Sequence, residues 1–545
     1  MELSFKNYYK QEKELINLIE TSDFISFDLE MTGIENDKNN ILIDTPEFRY
    51  SKYKKTSEKY SIIQLGLSFF KLITNPNIYH KQICYECRPF NLYLFQNSKD
   101  LKEISQDELN LEVKSMLFNK KGKIDLNKWI NEGIQFLSQK QYRELYKNIT
   151  ENNINNDNFS MDITYLKQKD LDFAEKMIET IQNNYINNGN LYKTNYVISC
   201  LPKYILYYIK KRLPNNLYFQ ENSKFNNKSF CTLITGYKTK DEKDKLYMED
   251  ILNQLNELNH RKGIKKLFES LFNQNNVADR DIKEEDINKN KNFENKKKIL
   301  IGHNMSLDLM FIISKLGEGL PNEYLFFKNM IKDKLNCIYD TKFLFEEFKN
   351  SDSNKNNIII KDIKSVLDNM YPYLKSTFDE YIKIKIKPNE DLFKDGLYHN
   401  AGYDSFVTGA CFLYMKNAMK NTDFLEKNKN QIYIMNSLYK SININLKEDE
   451  YINEINNEEN IFVFKGIKNI NDINFEIIFG KRLWNETAIK TINCDKNNIL
   501  VVITNFDNKI PNENKTIFRT IAFGKINKNK FICFSINEYR KKYMK

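Results

Sequence analysis

The sequence predicts an α/β protein with a mixed central sheet and additional modules, and two observations carry this prediction. Three strands, DFISFDLE (23–30), YSIIQLGLSFF (60–70) and IYHKQICYECRPFNLYLF (78–95), follow one another before any long helix. Such a run suits a mixed sheet with an antiparallel ribbon at one edge. At 545 residues the chain is too long for one core, and by the usual domain size it holds roughly three to four domains.

The elements follow from periodicity and composition. The leading residues read as an amphipathic helix, and residues 36–59 read as a polar connection to the second strand. Residues 124–149 have helical spacing, and KKILIGHN (297–304) is a buried strand running into the helix MSLDLMFIISKL. HNAGYDSFVTGACFLYMKNAM begins another helix. These segments would form the two halves of one core, 1–150 and 298–440.

Between the two halves lies a compact block that predicts an inserted small α/β domain, 160–272. It contains a predicted helix over 195–213, a strand over 229–237 and a helix over 250–272. Asn-rich and charged stretches cannot bury enough apolar surface to offset their ordering entropy. We therefore expect a disordered linker at 273–297 and a second linker at 441–458. Residues 459–545 then show a β-α-β-β order, as in the first half of an RNA-recognition (RRM-like) fold.

Charge and cysteine usage narrow the class of protein. Lys and Arg number 83 and Asp and Glu 73, which gives a net charge of +10 and a pI near 8.8. A basic excess favours a polyanionic partner, although an AT-rich coding bias toward Lys explains it equally well. The eight cysteines are scattered, which suits buried thiols in a reducing compartment. We expect no secretory signal and no membrane span.

Three separated pieces supply four carboxylates and a histidine. Asp28 and Glu30 stand two apart on a strand, Asp308 follows GHN near the start of a helix, and His399 precedes Asp404 by five positions. Side chains two apart on a strand share a face, and neighbouring carboxylates repel unless a cation neutralises them. Divalent cations held by such acids can support phosphodiester hydrolysis, with an imidazole as the base. Each piece alone also has a structural explanation. Asp28 and Glu30 could lie on the solvated face of an edge strand, and Asp308 could stabilise the dipole at the start of its helix.

Together these pieces resemble the DEDDh-type 3′-exonucleases, which have an RNase H-like core, and more closely the poly(A)-specific ribonuclease (PARN) family. The resemblance is carried by FDLEMTGI, SIIQLGLSFF, FNKKGKIDLNKWINEGIQFLSQ, IGHNMSLDLM, YDTKFL and HNAGYDSFVTGACF. It covers residues 20–145 and 298–420 well and is weaker elsewhere. The family's inserted domain is named for an Arg-x-x-x-His motif, which is absent from residues 165–260 here.

The resemblance implies a function: 3′-to-5′ removal of poly(A) as 5′-AMP by two Mg²⁺ or Mn²⁺ ions. Asp28, Glu30, Asp308 and Asp404 would hold the ions, and His399 would be the general base. Met31, Ile34 and Lys342 would contact RNA, and Trp484 is a candidate for stacking a cap. The resemblance also implies a homodimer acting in the nucleus, the cytoplasm or both. Trimming of small non-coding RNA and a catalytically silent RNA-binding scaffold are the alternatives.

Overall fold

The structure is a computed structural model, and it describes the larger part of the chain. The described residues are 1–35, 43–74, 82–95, 109–151, 168–186, 196–199, 201, 203–225, 228–260, 263–272, 298–335, 337–351, 354, 358–388, 398–419, 422–450, 461–465, 489–494, 499–504 and 532–543. They form two compact units, Met1–Gln139 with Gly263–Lys545, and Lys140–Lys262. In the described part of the chain, no helix is both long and apolar enough to cross a membrane.

The strands are numbered in chain order. They are β1 (Glu2–Leu3), β2 (Phe24–Met31), β3 (Ile62–Thr74), β4 (Ile83–Phe95), β5 (Ile134–Gln135), β6 (Tyr196–Ser199), β7 (Leu217–Phe225), β8 (Lys228–Gly236), β9 (Ile299–Gly302), β10 (Cys337–Asp340), β11 (Ile382–Ile386), β12 (Gln431–Tyr433), β13 (Ser441–Asn443), β14 (Ile461–Lys465), β15 (Ile489–Cys494), β16 (Ile499–Thr504) and β17 (Ile532–Ser535).

The helices are numbered in the same way, and a short π-helix (Gln182–Ile186) follows the sixth. They are α1 (Tyr8–Thr21), α2 (Pro46–Lys59), α3 (Val113–Lys121), α4 (Leu126–Glu132), α5 (Gln139–Glu151), α6 (Gln168–Ile181), α7 (Lys203–Arg212), α8 (Lys240–His260), α9 (Lys265–Phe272), α10 (Ser306–Leu316), α11 (Tyr324–Lys334), α12 (Thr341–Lys349), α13 (Ile358–Asp362), α14 (Leu367–Phe378), α15 (Ala401–Ala418), α16 (Thr422–Asn428) and α17 (Ile536–Tyr543).

The central sheet is mixed, as the sequence predicts. Its order is β1-β4-β3-β2-β9-β10, and β11 and β5 also pair with β4. Strands β2, β3 and β4 form the expected antiparallel ribbon, whereas β9 and β10 join β2 in parallel. Helix α15 covers one face of the sheet and is buried along almost its whole length. A helix that is apolar all round belongs in a core.

Small residues let α15 approach the sheet closely. A Cβ atom on Gly66 of β3 would lie 1.8 Å from the Ala401 carbonyl oxygen, so only glycine fits there. Deeper along the helix, the Ser26 hydroxyl donates to the Ser405 carbonyl oxygen at 2.6 Å. The Ser68 and Ser405 hydroxyls lie 2.8 Å apart. This buried contact holds the start of α15 against the middle of β2 and β3.

Several elements differ from the sequence prediction. Helix α2 occupies most of the segment expected to be a connection; Thr45 caps it and Pro46 opens it, both good helix-start signals. The predicted helix over 195–213 begins instead as strand β6, where β-branched Val197 and Ile198 favour extended backbone. Strand β7 was not predicted.

The module boundaries also differ. The second unit runs from Lys140 to Lys262, whereas α9, expected in the insert, packs its apolar face into the core of the first unit. The segment 441–450 was expected to be part of a linker, but its first residues, Ser441–Asn443, form β13. Asp449 then anchors the segment to α11 by accepting from Tyr324 Oη at 2.7 Å. The predicted linker 273–297 lies outside the described residues.

The C-terminal strands form a separate four-stranded antiparallel sheet in the order β15-β16-β14-β17, followed by α17. Four strands are the number in an RNA-recognition fold. The helix of the predicted β-α-β-β order lies outside the described residues, so the RRM-like assignment stays a prediction.

We predict that Gly66→Ala destabilises the protein by about 1–3 kcal/mol, because the added methyl group overlaps the backbone of α15. Urea unfolding measures this loss. Gly319→Ala is the matched control, since its Cβ meets nothing within 4 Å and only its φ of +90° opposes the change; we expect a cost of about 1 kcal/mol there. Equal stability of the Gly66→Ala variant and the wild type would contradict the close approach.

Candidate active site

Strand β2 presents two acids on the sheet face that α15 covers. Asp28 pairs with Gly66 of β3, and Glu30 pairs with Gln64. The two carboxylates project from the same face because side chains alternate along a strand. Glu30 is buried, and Asp28 is partly exposed. The pairing with glycine leaves open space beside Asp28 that the start of α15 fills.

Helix α15 brings the third acid. Asn400 caps the helix by accepting from the Tyr403 N–H, and Asp404 lies in the first turn. The Gln64 side-chain oxygen accepts from the Ala401 N–H at 3.3 Å, which ties the helix start to β3. As a result, carboxylate oxygens of Asp28, Glu30 and Asp404 lie within 4.8 Å of one another.

The fourth predicted acid, Asp308, lies in the first turn of α10, beyond the loop that follows β9. Its oxygens are not part of the group within 4.8 Å, but its charge raises the pKa of both Asp28 and Glu30. Asp308 therefore borders the three clustered acids.

A buried carboxylate, Asp340, holds the loop before α10 in place. Both of its oxygens accept only backbone N–H groups, at 2.9 to 3.4 Å. The donors are Asn304 and Met305 of the loop, Lys342 and Phe343 of α12, and Tyr433 of β12. One side chain thus joins the Asp308 loop to two other elements.

The four acids have abnormal protonation equilibria in the absence of a cation. Burial, and then repulsion from the neighbouring carboxylates, raises the pKa of Asp28 and of Glu30 well above the usual range. Burial raises the pKa of Asp308 and of Asp404 to about 7 in each case. A like charge nearby and removal from water both disfavour the ionised form.

The arrangement fits a divalent cation. Asp404 Oδ2 accepts the His399 N–H at 2.9 Å, but buried Asp404 Oδ1 has no hydrogen-bond partner among the described residues. A buried acceptor without a donor is costly, and a divalent cation is a partner that fits this oxygen. Carboxylate oxygens are the ligands that Mg²⁺ and Mn²⁺ prefer. The donor set therefore supports divalent-metal binding.

His399 lies at the edge of the acidic cluster. Its φ is +69°, and a Cβ on Gly122 would lie 2.2 Å from its carbonyl oxygen, so the glycine makes room for this backbone. The His399 ring is half-buried and its centroid lies 4.2 Å from that of Phe118. The backbone of His399 is thus held beside Asp404 by its own amide, and its ring packs on Phe118.

The predicted RNA contacts fare differently. Ile34 is half-buried after the end of β2, and Lys342 is half-buried in the first turn of α12. Met31 is buried at the edge of the hydrophobic core, and its contact with a terminal base stays a prediction. Trp484 lies outside the described residues.

Sequence reasoning missed three neighbours of the site. Glu112 Oε2 accepts the N–H groups of Ile34 and Glu35, which fixes the chain after β2. Phe118 packs on the His399 ring. Asp340 could have been found, because an acid before Thr and Lys at the end of a buried strand is a helix-cap signal. Glu112 and Phe118 gave no such signal.

A family model described as CAF1 family ribonuclease matches residues 4–412. This match spans about three quarters of the chain, which therefore belongs to the CAF1 family of ribonucleases. The membership confirms the recognition made from the motifs.

Individual relatives are distant. An uncharacterised protein of Schizosaccharomyces pombe is 23% identical, over 78% of this chain and 95% of its own length. Poly(A)-specific ribonuclease PARN of Xenopus laevis is 22% identical, over 76% of this chain and 62% of its own length. A pre-piRNA 3′-exonuclease trimmer of Bombyx mori is 24% identical, over 76% of this chain and 70% of its own length.

A solved structure of S. pombe Pop2p, bound to Mg²⁺ and Mn²⁺, is 12% identical with a TM-score of 0.34, covering 79% of this chain and 98% of Pop2p. The predicted class of function, a 3′-to-5′ exoribonuclease acting on RNA, is confirmed at the level of the family.

We predict that the metal-free protein loses stability as pH rises. Asp404 and Asp308 have folded-state pKa values of about 7, against about 4 in an unfolded chain. Between these values the folded state binds more protons than the unfolded state, so the free energy of unfolding falls from pH 4 through pH 7. Thermal melts in EDTA should show the loss, on the order of a few kcal/mol.

Two controls accompany those melts. Mg²⁺ should restore stability at pH 8, because a cation replaces the protons that the acids lose. Asp404→Asn should flatten the pH dependence in EDTA. A metal-free melting temperature that is constant or rises from pH 5 to pH 8 would contradict the raised pKa values of Asp308 and Asp404.

Proposed function

We propose that this protein is an active 3′-to-5′ exoribonuclease that shortens poly(A) and releases 5′-AMP. The observation that carries the proposal is the convergence of Asp28, Glu30 and Asp404 within 4.8 Å, with Asp308 beside them. Family membership supports the reaction class, and the PARN relatives support the choice of poly(A).

The four acids would form two cation sites. Asp28, Glu30 and Asp404 would hold one Mg²⁺ or Mn²⁺, and Asp308 with Asp28 would hold the other. When bound, the two cations supply positive charge that stabilises the attacking and leaving oxygens of a phosphodiester. The residues of the chain position the substrate around them, with Ile34 against the terminal nucleotide and Lys342 toward a phosphate.

His399 is suited to accept the proton of the attacking water. Its backbone N–H donates to Asp404, which places the residue at the edge of the acidic cluster, and we infer that its imidazole faces that cluster. Packing against Phe118 limits the ring's motion. A base held in one orientation transfers a proton more effectively than one that must be ordered in each turnover.

Digestion of a 5′-labelled RNA with an oligoadenylate 3′ end tests the function. An oligouridylate end, the 3′ end of a small non-coding RNA and a DNA of the same sequence are the comparisons. We expect the oligoadenylate RNA to shorten fastest, and Asp28→Ala, Glu30→Ala, Asp308→Ala and Asp404→Ala to abolish hydrolysis without loss of fold. Equal or faster trimming of the non-coding end would favour a trimmer. No hydrolysis by the wild type would indicate a silent scaffold.

We predict that His399→Ala lowers turnover about 10²- to 10⁴-fold, the usual effect of removing a general base. RNA affinity should change little, because the acids and Lys342 remain. Single-turnover kinetics and a binding titration separate the two effects. A parallel loss of binding would make His399 a substrate contact rather than a base.

The remaining parts of the proposal concern partners and location. The homodimer, cap stacking by Trp484, RNA binding by the unit Lys140–Lys262, and action in the nucleus or cytoplasm rest on the family resemblance. Each stays a prediction.

A further inference from the structure

Lys342 is a half-buried cation whose ammonium group has no hydrogen bond or ion pair with a described residue. Two carboxylates lie near it, and both are engaged elsewhere. Asp340 accepts backbone N–H groups through both oxygens, and Glu346 pairs with Lys349 at 3.0 Å. A half-buried charge without a counterion is costly. The Lys342 ammonium group therefore lies near two carboxylates but forms an ion pair with neither of them.

An aromatic ring, rather than a carboxylate, contacts the ammonium group of Lys342. Lys342 Nζ lies 5.0 Å from the centroid of the Tyr433 ring, within the range of a cation–π contact. Such a contact holds an ammonium group without neutralising it. The charge of Lys342 therefore remains available to an anion. A lysine already paired with a carboxylate would not offer its charge in this way.

The geometry of this pair is built into the fold. Tyr433 ends β12, and its N–H donates to Asp340 Oδ2 at 3.1 Å; the Lys342 N–H donates to Asp340 Oδ1 at 3.0 Å. Asn430, just before β12, donates its N–H to the Ile338 carbonyl oxygen of β10 at 3.0 Å. Lysine and tyrosine thus come from segments about 90 residues apart and share one anchor.

We propose that Tyr433 is a positioning residue that holds the Lys342 ammonium group ready for a phosphate of the RNA backbone. Asp340 sets the distance from this pair to the acidic cluster, because the same carboxylate also binds the loop that leads to Asp308. The role of Lys342 as a phosphate contact rests on the proposed function. The role of Tyr433 follows from the contacts above.

Kinetics on oligoadenylate RNA test the assignment. Lys342→Ala should raise KM about 10-fold with little change in kcat, as expected for loss of one phosphate contact. Tyr433→Leu should raise KM about 3- to 10-fold, the range of a cation–π contact. Tyr433→Phe keeps the ring and should recover most of that loss. The double variant Tyr433→Leu with Lys342→Ala should be no worse than Lys342→Ala, because the two residues act through one contact.

A matched control is available on α2. Lys52 Nζ lies 4.6 Å from the Phe48 ring, but its ammonium group also pairs with Asp44 at 2.9 Å. Phe48→Leu removes a ring beneath a lysine whose charge is already used, so KM should stay at the wild-type value. Melting curves of all variants show whether a change in KM comes from unfolding.

Binding separates this inference from the proposed function. RNA affinity is measured at several salt concentrations in an Asp308→Ala background, where hydrolysis is absent by design. Lys342→Ala should make the slope of log affinity against log salt less steep by about one unit. Tyr433→Leu should reduce the steepness by less than Lys342→Ala does.

The outcomes distinguish the two proposals. Three results would each overturn the role of Tyr433. The first is wild-type salt dependence in Tyr433→Leu together with a reduced dependence in Lys342→Ala. The others are additive effects on KM in the double variant and equal KM defects in Tyr433→Phe and Tyr433→Leu. Absence of hydrolysis by the wild type, with the binding pattern intact, would refute only the nuclease. Absence of RNA binding by every variant, including the Asp308→Ala parent, would refute both.

Discussion

The active site depends on how closely α15 lies against the sheet. Asp404 belongs to a helix and Asp28 and Glu30 to a strand, and they meet only because Gly66, Ser26 and Ser68 leave no bulk between the two elements. The contact consists of backbone and small side chains, so it cannot stretch to relieve repulsion. The carboxylates are therefore forced together by packing, and burial first and repulsion from neighbouring carboxylates second raise the pKa of Asp28 and of Glu30.

Asp340 extends this order to the other side of the site. A carboxylate that accepts five backbone N–H groups has little freedom to move, and its donors come from three separate segments. The loop before Asp308, the start of α12 and the end of β12 are fixed relative to one another as a result. The loop that leads to Asp308 and the start of α12 with Lys342 therefore share one rigid frame, and such a frame would suit the proposed catalysis by positioning.

Much of the core and the site could be predicted from local patterns. Two site features are local patterns that can be recognised in the sequence itself. They are the spacing of Asp28 and Glu30 and the GHN motif before Asp308. Helix α2 was missed because tyrosines and charged residues replace its apolar stripe. Helix α9 was assigned to the wrong unit because an apolar face shows that a helix packs, but not against what.

Contacts between distant segments could not be predicted at all. Met31 was assigned from the family resemblance alone, and its burial in the core carried no local signal. Tyr433 carried no signal, since its partner Lys342 is about 90 residues away and the anchor between them is a carboxylate that reads locally as a helix cap. Such residues become visible only when the fold brings their backbones together.

The two sides of the site have opposite charge imbalances, and together they define what it can bind. Four crowded acids carry more negative charge than the protein neutralises, whereas Lys342 carries a positive charge that no described carboxylate pairs with. Divalent cations correct the first imbalance, and an anionic group correctly placed beside them corrects the second. Under the proposed function, a phosphodiester would be such a group, because it carries its own negative charge. A neutral substrate would leave Lys342 unpaired, so the charges of the site support the proposed nucleic acid backbone over an uncharged ligand.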